Sequence, residues 1–273
     1  MSRPPRLLIA GCGDLGIRLA ARLQGWEVHG LRRRAADLPA SVNPVAADLS
    51  DPASLAAAAG HWDAVVYSAT PDAFEAGAYR RTYVDGLRNL LDRVTTDRLW
   101  FISSTAVYAQ DQGEWVDEHS PTEPTRFNGR ILLEAEQIAR AAGGGCVRFS
   151  GIYGPGRTRL IDRLRSGPVA CKLDPPQWTN RIHIEDCAAV LAHLLETAQM
   201  RSVHVASDPA PAPRWEVLSW LAGRLGVPGP VAAHDSDHGQ GKRVRSRYLH
   251  ETGYRFIYPD YRAGYTEIMK TCG

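Results

Sequence analysis

The chain has 273 residues, 44% of them hydrophobic, and its 32 basic and 30 acidic side chains leave a formal net charge of +2. This length and composition are enough for a globular protein with a substantial buried core. The nearly balanced charge argues against a general attraction to nucleic acid or to membrane surfaces. We therefore expect a small-molecule substrate, with no nucleic-acid and no membrane partner.

The cysteines and the N-terminal segment indicate the cellular setting. Five cysteines are scattered along the chain without a C-x-x-C spacing, which argues against a disulfide framework and against a zinc site. The segment RPPRLLIAGCG has only four apolar residues before its first glycine, too few for a signal-peptide core or a membrane span. We expect a cytoplasmic protein.

Short apolar runs without polar alternation predict strands that are covered on both faces. The runs are LLIAG at 7–11, EVHGL at 27–31, AVVYSA at 64–69, LWFISS at 99–104, CVRFSG at 146–151 and VHVAS at 203–207. Helices are predicted between them, over 14–24, 52–59, 78–94, 130–142 and 185–198. Because strands and helices alternate, the sequence predicts an α/β fold with a doubly wound parallel sheet of the Rossmann type.

The regular alternation declines after about residue 155. Residues 156–182 are rich in Gly, Pro and Arg, 208–214 form a proline-rich connection, and 234–243 have the composition of an exposed loop. We predict a dinucleotide-binding core over 1–155 and a smaller C-terminal substrate lobe over 156–273. Segments near 182–207 are expected to return to the sheet.

A glycine-rich turn directly follows the first predicted strand. Gly11, Gly13 and Gly16 form G-x-G-x-x-G, and Asp14 and Leu15 begin the predicted helix within it. Strand, glycines and helix in this order are typical of a dinucleotide-binding turn, where backbone N–H groups approach a pyrophosphate. The alternative is an ordinary glycine-rich connection between a strand and a helix.

Three arginines follow the second predicted strand. Arg32, Arg33 and Arg34 stand where a chain that binds NAD(H) usually has an acidic residue for the ribose hydroxyls. Arginine at this position pairs with a 2′-phosphate, which favours NADP(H) over NAD(H) as the cofactor. Two alternatives stay open: the arginines form a solvated run, or Asp37 serves NAD(H) if the strand extends further.

Motifs along nearly the whole chain resemble those of one superfamily. They are IAGCGDLG, AADLSDP, VVYSATP, GLRNLL, FISSTAVY, RFSGIYGPGR, NRIHIEDCAAVL and YRFIYPDYRAGY. With them the chain resembles the extended short-chain dehydrogenase/reductase superfamily, in its branch of NAD-dependent epimerases and dehydratases. The segment from ISSTAVY to RFSGIYGPGR is the most specific part.

The resemblance implies roles for several positions. Asp48 and Leu49 match the contact to the adenine side of the cofactor, and three residues match the turn that faces its ribose and phosphates: Ser68, Ala69 and Thr70. Ser104 matches the hydroxyl that binds the reacting oxygen of the substrate, although it can also be a satisfied hydroxyl at a strand end. Arg181 and His183, followed by Asp186 at the start of a helix, match a segment that bridges the two lobes.

The acid and base of the superfamily are missing. Its members carry a Tyr-x-x-x-Lys pair on one helix face, where the lysine lowers the phenol pKa and the tyrosine exchanges a proton with the substrate. Aligning the segment on Gly129 and Glu136 places Asn128 at the tyrosine position and Leu132 at the lysine position. None of the ten tyrosines is followed four residues later by one of the three lysines. The pattern resembles the atypical members of the superfamily.

Three other residues are candidates to replace the missing acid and base. Asn128 can donate a hydrogen bond to a substrate carbonyl, and Tyr108 and His183 are candidate acids that can equally be packing residues. His234 and His238 have i, i+4 spacing, but the surrounding pattern is not helical and we predict no metal site.

Two functions remain open at this point. The first is an NADP(H)-dependent oxidoreductase or epimerase that acts on a sugar-like or nucleotide-linked substrate in a cleft at the sheet edge. The second is a non-catalytic protein that senses NADP(H), which the missing Tyr and Lys favour. The resemblance also implies a homodimer through helices at 78–94 and 130–142.

Overall fold

The computed structural model describes residues 3–197, 201–233 and 239–271. A seven-stranded sheet forms its centre. In chain order the strands are β1 Arg6–Ala10, β2 Glu27–Arg32, β3 Asn43–Ala46, β4 Ala64–Tyr67, β5 Leu99–Ser104, β6 Gly145–Phe149 and β7 Val203–Ala206. Six of these strands lie where the apolar runs predicted them, and β3 was not among those runs.

The strands are arranged in the order β7-β6-β5-β4-β1-β2-β3. The pairings β1–β2, β1–β4, β2–β3 and β4–β5 are parallel. The chain therefore crosses from the first half of the sheet to the second beside β1, which is the switch point of a doubly wound fold. Leu7, Leu8 and Ile9 of β1 are fully buried, as expected for a central strand that is covered on both faces.

The α-helices belong to both units of the chain, which are described below. They are α1 Asp14–Ala20, α2 Ala76–Tyr79, α3 Gly86–Leu91, α4 Phe127–Ala141, α5 Arg159–Arg165, α6 Ile184–Glu196, α7 Arg214–Leu225, α8 Arg247–Glu251 and α9 Tyr261–Thr271. None of the helices in the described ranges has the length and apolarity needed to cross a lipid bilayer.

Two predicted helices are shorter in the structure than expected. The first ends at Ala20 instead of residue 24. The alanine-rich segment 52–59 forms only a short 3₁₀ helix, Ser54–Ala58. Its backbone N–H groups donate to the carbonyl three residues earlier, as Ala56 does to Ala53, a pattern that rarely extends beyond one turn.

The predicted helix over 78–94 is interrupted by a π-helical segment, Arg80–Asp85, between α2 and α3. The hydroxyl of the buried Tyr67 donates a 2.5 Å hydrogen bond to the carbonyl oxygen of Thr82. A side chain that binds a helix carbonyl competes with the regular i to i−4 bonding, and such insertions are a common cause of local widening. Tyr67 on β4 therefore accounts for the interruption.

The chain is divided into two compact units. The first contains residues 1–108, 121–148 and 188–204, and the second contains 109–120, 149–187 and 205–273. The second unit has short strand pairs, among them the parallel pair Gly151–Tyr153 and Arg181–His183. Its own apolar core includes Ile161, Leu218 and Ile268, which are almost completely buried.

The other strand pairs are also short. In the second unit Gln112–Val116 pairs with Gly241–Val244, Ala170–Cys171 with Val231–Ala232, and Trp178–Thr179 with Ala212–Pro213; in the first unit Gly60–Trp62 pairs with Val94–Thr96. Cys12, Cys146, Cys171 and Cys187 are buried, and none of these described cysteines forms a disulfide.

Candidate functional site

The glycine-rich turn leaves the carboxyl end of β1 in the first unit. Gly11 has φ of +81°, and a Cβ there would lie 2.4 Å from the Cα of Ala69. A Cβ at Gly16 would lie 2.9 Å from Ile9, so this glycine allows α1 to pack closely on β1. A Cβ at Gly13 would meet only the Gly11 carbonyl oxygen, at 4.0 Å. The first and third glycines thus shape the turn, and the second leaves open space beside it, while its own N–H donates to the Gly11 carbonyl at 2.8 Å.

The arginines lie beside this turn, where β2 ends. Arg32 is the last residue of β2 and is half-buried, with no acidic partner in the part of the chain that is described. The exposed Arg33 contacts Asp72. Arg34 contacts Asp37, with 3.6 Å between Nε and Oδ2. Because β2 ends five residues before Asp37, the condition for Asp37 to serve NAD(H) is not met.

The residues that the resemblance places against the cofactor lie in loops of the first unit. Asp48 follows β3, and its Oδ1 accepts hydrogen bonds from the Ser50 backbone N–H and hydroxyl at 2.9 and 2.7 Å. These bonds hold the pKa of the Asp48 carboxyl below its ordinary value. The neighbouring Leu49 carbonyl accepts from the Asn89 side chain at 2.9 Å. The adenine-side loop is therefore fixed by its own hydrogen bonds.

The loop after β4 contacts the glycine-rich turn directly. The Ser68 hydroxyl donates to the carbonyl oxygen of Gly11 at 3.0 Å, while Ala69 packs against the same glycine. Thr70 is exposed. The structure therefore brings Ser68 and Ala69 together with the glycine-rich turn.

Ser104 ends β5 and is half-buried. Its Oγ accepts the Ala106 backbone N–H at 3.2 Å and so caps the 3₁₀ helix Thr105–Val107. Because the hydroxyl acts there only as an acceptor, its own proton is not committed to any acceptor in the described chain. Ser104 is thus a strand-end cap that can still donate a hydrogen bond.

The positions of the missing tyrosine and lysine lie in the first two turns of α4. Asn128 is half-buried, and its Oδ1 is enclosed without a hydrogen-bond partner among the described residues. Leu132 is 4% exposed. The exposed Arg130 donates from Nε to the Pro124 carbonyl, so it does not take the place of the lysine. Neither position holds a group that titrates.

Tyr108 belongs to a buried ionic network that the sequence did not reveal. Glu136 accepts two hydrogen bonds from Arg148, at 2.9 and 2.6 Å, and one from the Ser103 hydroxyl at 2.6 Å. Arg148 also donates to the Tyr108 hydroxyl at 2.9 Å. Burial opposes the charge of Arg148, but the hydrogen bond and charge of Glu136 outweigh it and raise the arginine pKa. The phenol of Tyr108 is 2% exposed, which favours a packing role over that of an acid.

A second buried polar cluster lies in the second unit. Arg181 donates from Nη2 to the Thr179 hydroxyl at 2.6 Å, and Asp208 donates its backbone N–H to the Arg181 carbonyl. Three buried atoms have no hydrogen-bond partner among the described residues: Arg181 Nη1, Asp208 Oδ2 and Ser150 Oγ. Ser150 lies one residue before the strand that pairs with Arg181. Burial raises the pKa of Asp208 to about 7, although Arg181 opposes the shift.

His183 is packed between aromatic rings inside the second unit. Its ring centroid lies 4.0 Å from that of Tyr258 and 5.2 Å from that of Tyr153, and it is 1% exposed. Asp186 accepts hydrogen bonds from Ile257 and Tyr258 backbone N–H groups at 2.7 and 2.9 Å. Both residues therefore fix the segment near 257, and the surroundings of His183 favour packing over acid catalysis.

Two tyrosines, Tyr153 and Tyr258, are followed four residues later by an arginine instead of a lysine, Arg157 and Arg262. Tyr153 donates to the Asp260 carbonyl at 3.4 Å, and Arg262 pairs with Glu216 at 2.7 Å. His234 and His238, where no metal site is predicted, lie outside the described residues. The sequence reasoning missed Asp208, although an acidic residue directly after a predicted strand end was a visible signal.

Comparisons with known proteins agree with this geometry. The sequence profile described as "NAD dependent epimerase/dehydratase family" matches residues 7–206. A proposed NAD-dependent epimerase/dehydratase from Methylobacillus flagellatus is 38% identical with a TM-score of 0.84, covering 98% of this chain and 99% of that one. The UDP-glucuronic acid 4-epimerase from Bacillus cereus, solved in complex with NAD, is 18% identical with a TM-score of 0.77, covering 97% of both chains.

A curated human relative is "Epimerase family protein SDR39U1". It is 26% identical over 190 residues, which are 62% of this chain. The matched part spans 64% of the human protein, less than two thirds of its length.

Proposed function

Because the chain belongs to the NAD dependent epimerase/dehydratase family, we propose that it is an NADP(H)-dependent oxidoreductase or epimerase of atypical type. Its substrate is sugar-like or nucleotide-linked. The single observation that carries the cofactor preference is the pair Arg32 and Arg33 at the end of β2, where no acidic residue stands. NAD(H) is the alternative cofactor, since the Bacillus cereus structure contains NAD.

The residues of the first unit fit a dinucleotide. The open space at Gly13 gives room for a pyrophosphate at the carboxyl end of β1. Arg32 is a cation at the end of β2 without an acidic partner in the described chain, suited to a phosphate on the ribose. A bound nicotinamide cofactor would supply hydride transfer. Ser104 would donate its free O–H to the reacting oxygen of the substrate.

The chain departs from the family in the residues that transfer a proton to or from the substrate. A positioned acid or base contributes about 10² to 10⁴-fold in rate, and Asn128 and Leu132 can provide only a hydrogen bond and packing. We therefore assign to Asn128 the binding of a carbonyl oxygen, without proton transfer. The same observation supports the second candidate function, a non-catalytic sensor of NADP(H).

Calorimetric titration with NADPH and NADH tests the cofactor proposal. We expect the wild type to bind NADPH more tightly, and Arg33→Asp to lose about tenfold or more in NADPH affinity while keeping NADH affinity, because a repulsive charge replaces a phosphate partner. Arg93→Asp, an equal charge change at an exposed position near the amino ends of the strands, is the control. Equal affinity of the wild type for both cofactors contradicts the proposal.

Substrate screening separates the enzyme from the sensor. Purified protein is incubated with NADPH and a panel of nucleotide sugars, ketones and aldehydes, and the loss of absorbance at the reduced nicotinamide is followed. Turnover supports the enzyme. Tight NADPH binding without turnover in the wild type, together with gain of turnover in Asn128→Tyr/Leu132→Lys, supports the sensor.

A homodimer is part of the proposal. α4 and the segment from α2 to α3 are joined on the first unit by the exposed ion pair of Arg80 and Glu134, at 2.8 Å. Sedimentation equilibrium of the wild type tests this assembly, and a monomer at micromolar concentration contradicts it.

A further inference from the structure

An ion pair spans the strand from which the glycine-rich turn leaves. Nη2 of Arg33 lies 3.3 Å from Oδ1 of Asp72. Arg33 follows β2, and Asp72 lies in the loop after β4. β2 and β4 are the two neighbours of β1, and Ala10 is in register with Leu31 on one side and Tyr67 on the other. The ion pair therefore crosses the carboxyl end of β1, where the turn begins.

Two carboxylates lie near Arg33, and they differ in the other interactions that they make. Asp72 makes no other ion pair or hydrogen bond within the described residues. A second carboxylate, that of Asp48, is near enough for the charge of Arg33 to affect its pKa. Asp48 is, however, fixed by its two hydrogen bonds from Ser50. Asp72 is thus the carboxylate that engages Arg33 and that can leave it without breaking another bond.

The pair is also easy to break. The side chains of Arg33 and Asp72 are 66% and 78% exposed, and exposed pairs of this kind contribute little to stability. A phosphate group carries more charge than a carboxylate and is a stronger partner for a guanidinium group. A doubly charged phosphate that binds Arg33 must compete with the Asp72 carboxylate for the guanidinium group. It is also repelled by the negative charge of that carboxylate.

We propose that Asp72 determines cofactor specificity: it occupies Arg33 in the free protein and lowers the preference for a dinucleotide with a 2′-phosphate over one without. This inference rests on the proposed function, because it concerns the same arginine. It adds a residue that stands 39 positions away in the sequence from Arg33.

Isothermal titration of wild type and Asp72→Asn with NADPH and with NADH tests the inference. The experiment is run at low salt, about 20 mM, because screening weakens interactions between exposed charges. We expect Asp72→Asn to bind NADPH about threefold to tenfold more tightly, and NADH within about twofold of the wild type, because only the phosphorylated ribose competes for Arg33. The gain should shrink in 0.5 M salt.

Asp97→Asn is the matched control. Asp97 is a similarly exposed carboxylate, with 3.4 Å between its Oδ2 and Nε2 of His61, and it lies two residues before β5, at the amino end of the strands. The Asp97→Asn substitution removes the same charge at the end of the strands opposite to the glycine-rich turn. We expect it to leave the affinity ratio of NADPH to NADH unchanged.

The outcomes are distinct. If the wild type binds NADPH and Asp72→Asn leaves the ratio of affinities unchanged, or Asp97→Asn raises it equally, the inference is wrong and the proposed function stands. If the wild type does not bind NADPH, the proposed function and the inference both fail. Thermal unfolding of both variants verifies that a changed affinity does not come from a changed fold.

Discussion

The two units each bury a polar cluster, and the clusters differ in how far their hydrogen-bonding groups are satisfied. In the first unit, all three guanidinium nitrogens of Arg148 donate, and Glu136 accepts on both oxygens. In the second unit, Ser150 Oγ, Arg181 Nη1 and Asp208 Oδ2 are buried without partners among the described residues. We call the first cluster closed, because these hydrogen-bonding atoms all have partners, and the second cluster open, because three of its atoms have none among the described residues.

This difference assigns different roles to the clusters. A satisfied buried network specifies packing, and breaking it is costly. A buried polar atom without a partner costs about 1 to 3 kcal/mol of stability, so the three such atoms in this cluster are a feature that stability alone does not explain. We therefore expect substitutions in the first cluster to lower the free energy of unfolding. Substitutions in the second cluster should remove buried atoms that lack a partner, and so relieve the loss of stability that these atoms cause.

The largest effect is expected at Glu136. Glu136→Gln leaves the charge of Arg148 buried without its counter-ion, and we expect a loss of about 3 to 5 kcal/mol in the free energy of unfolding. Urea denaturation measures this loss. Glu267→Gln is the control, because Glu267 forms an exposed ion pair with Lys270 at 3.1 Å, and its loss should stay below about 1 kcal/mol. Equal losses for the two variants would contradict the difference between closed and exposed pairs.

The second effect is a pH dependence at Asp208. Its pKa of about 7 in the folded protein is above the ordinary 3.8, so the folded state binds the proton more tightly than the unfolded chain. The stability contribution is therefore full below pH 4 and is lost as the pH rises to about 7. Arg181, Asp260 and Asp186 are the charged groups that act on this carboxyl.

Asp208→Asn tests this pH dependence. From pH 5 to pH 8 we expect the free energy of unfolding of the variant, relative to wild type, to improve by about 2 to 3 kcal/mol, since each pKa unit corresponds to about 1.4 kcal/mol. Denaturation at both pH values measures the difference. Asp51→Asn, at an exposed position, should give the same difference from wild type at both pH values. A pH-independent effect of Asp208→Asn would show that the carboxyl is ionised throughout.

The sequence was sufficient for the parts of the fold that depend on local pattern. Apolar runs located six of the seven strands of the central sheet, and the spacing of Gly11, Gly13 and Gly16 located the turn, because both signals lie within a few residues of each other. The missed strand β3, Asn43–Ala46, has only four residues, two of them Asn and Pro. Such a short strand is defined by its pairing with β2.

The remaining features depend on contacts between distant residues. The π-helical segment requires the hydroxyl of Tyr67 to reach Thr82, and the pair of Arg33 and Asp72 requires two loops on either side of β1 to meet. Composition and periodicity do not contain this information. The ionic network was hidden for the same reason, since the sequence showed Glu136 only as a motif position and not as a partner of an arginine in a buried strand.

The smallest effect compares one serine from each cluster. The Ser103 hydroxyl donates to Glu136 at 2.6 Å, so Ser103→Ala removes a hydrogen bond to a charged group and should cost about 1.5 to 3 kcal/mol. Ser150→Ala removes a buried hydroxyl that has no partner in the described chain, and we expect a change within about 0.5 kcal/mol or a small gain. Urea denaturation of both variants at one pH measures the contrast. A loss at Ser150 as large as that at Ser103 would mean that the Ser150 hydroxyl makes a hydrogen bond, and it would contradict the difference between the two clusters.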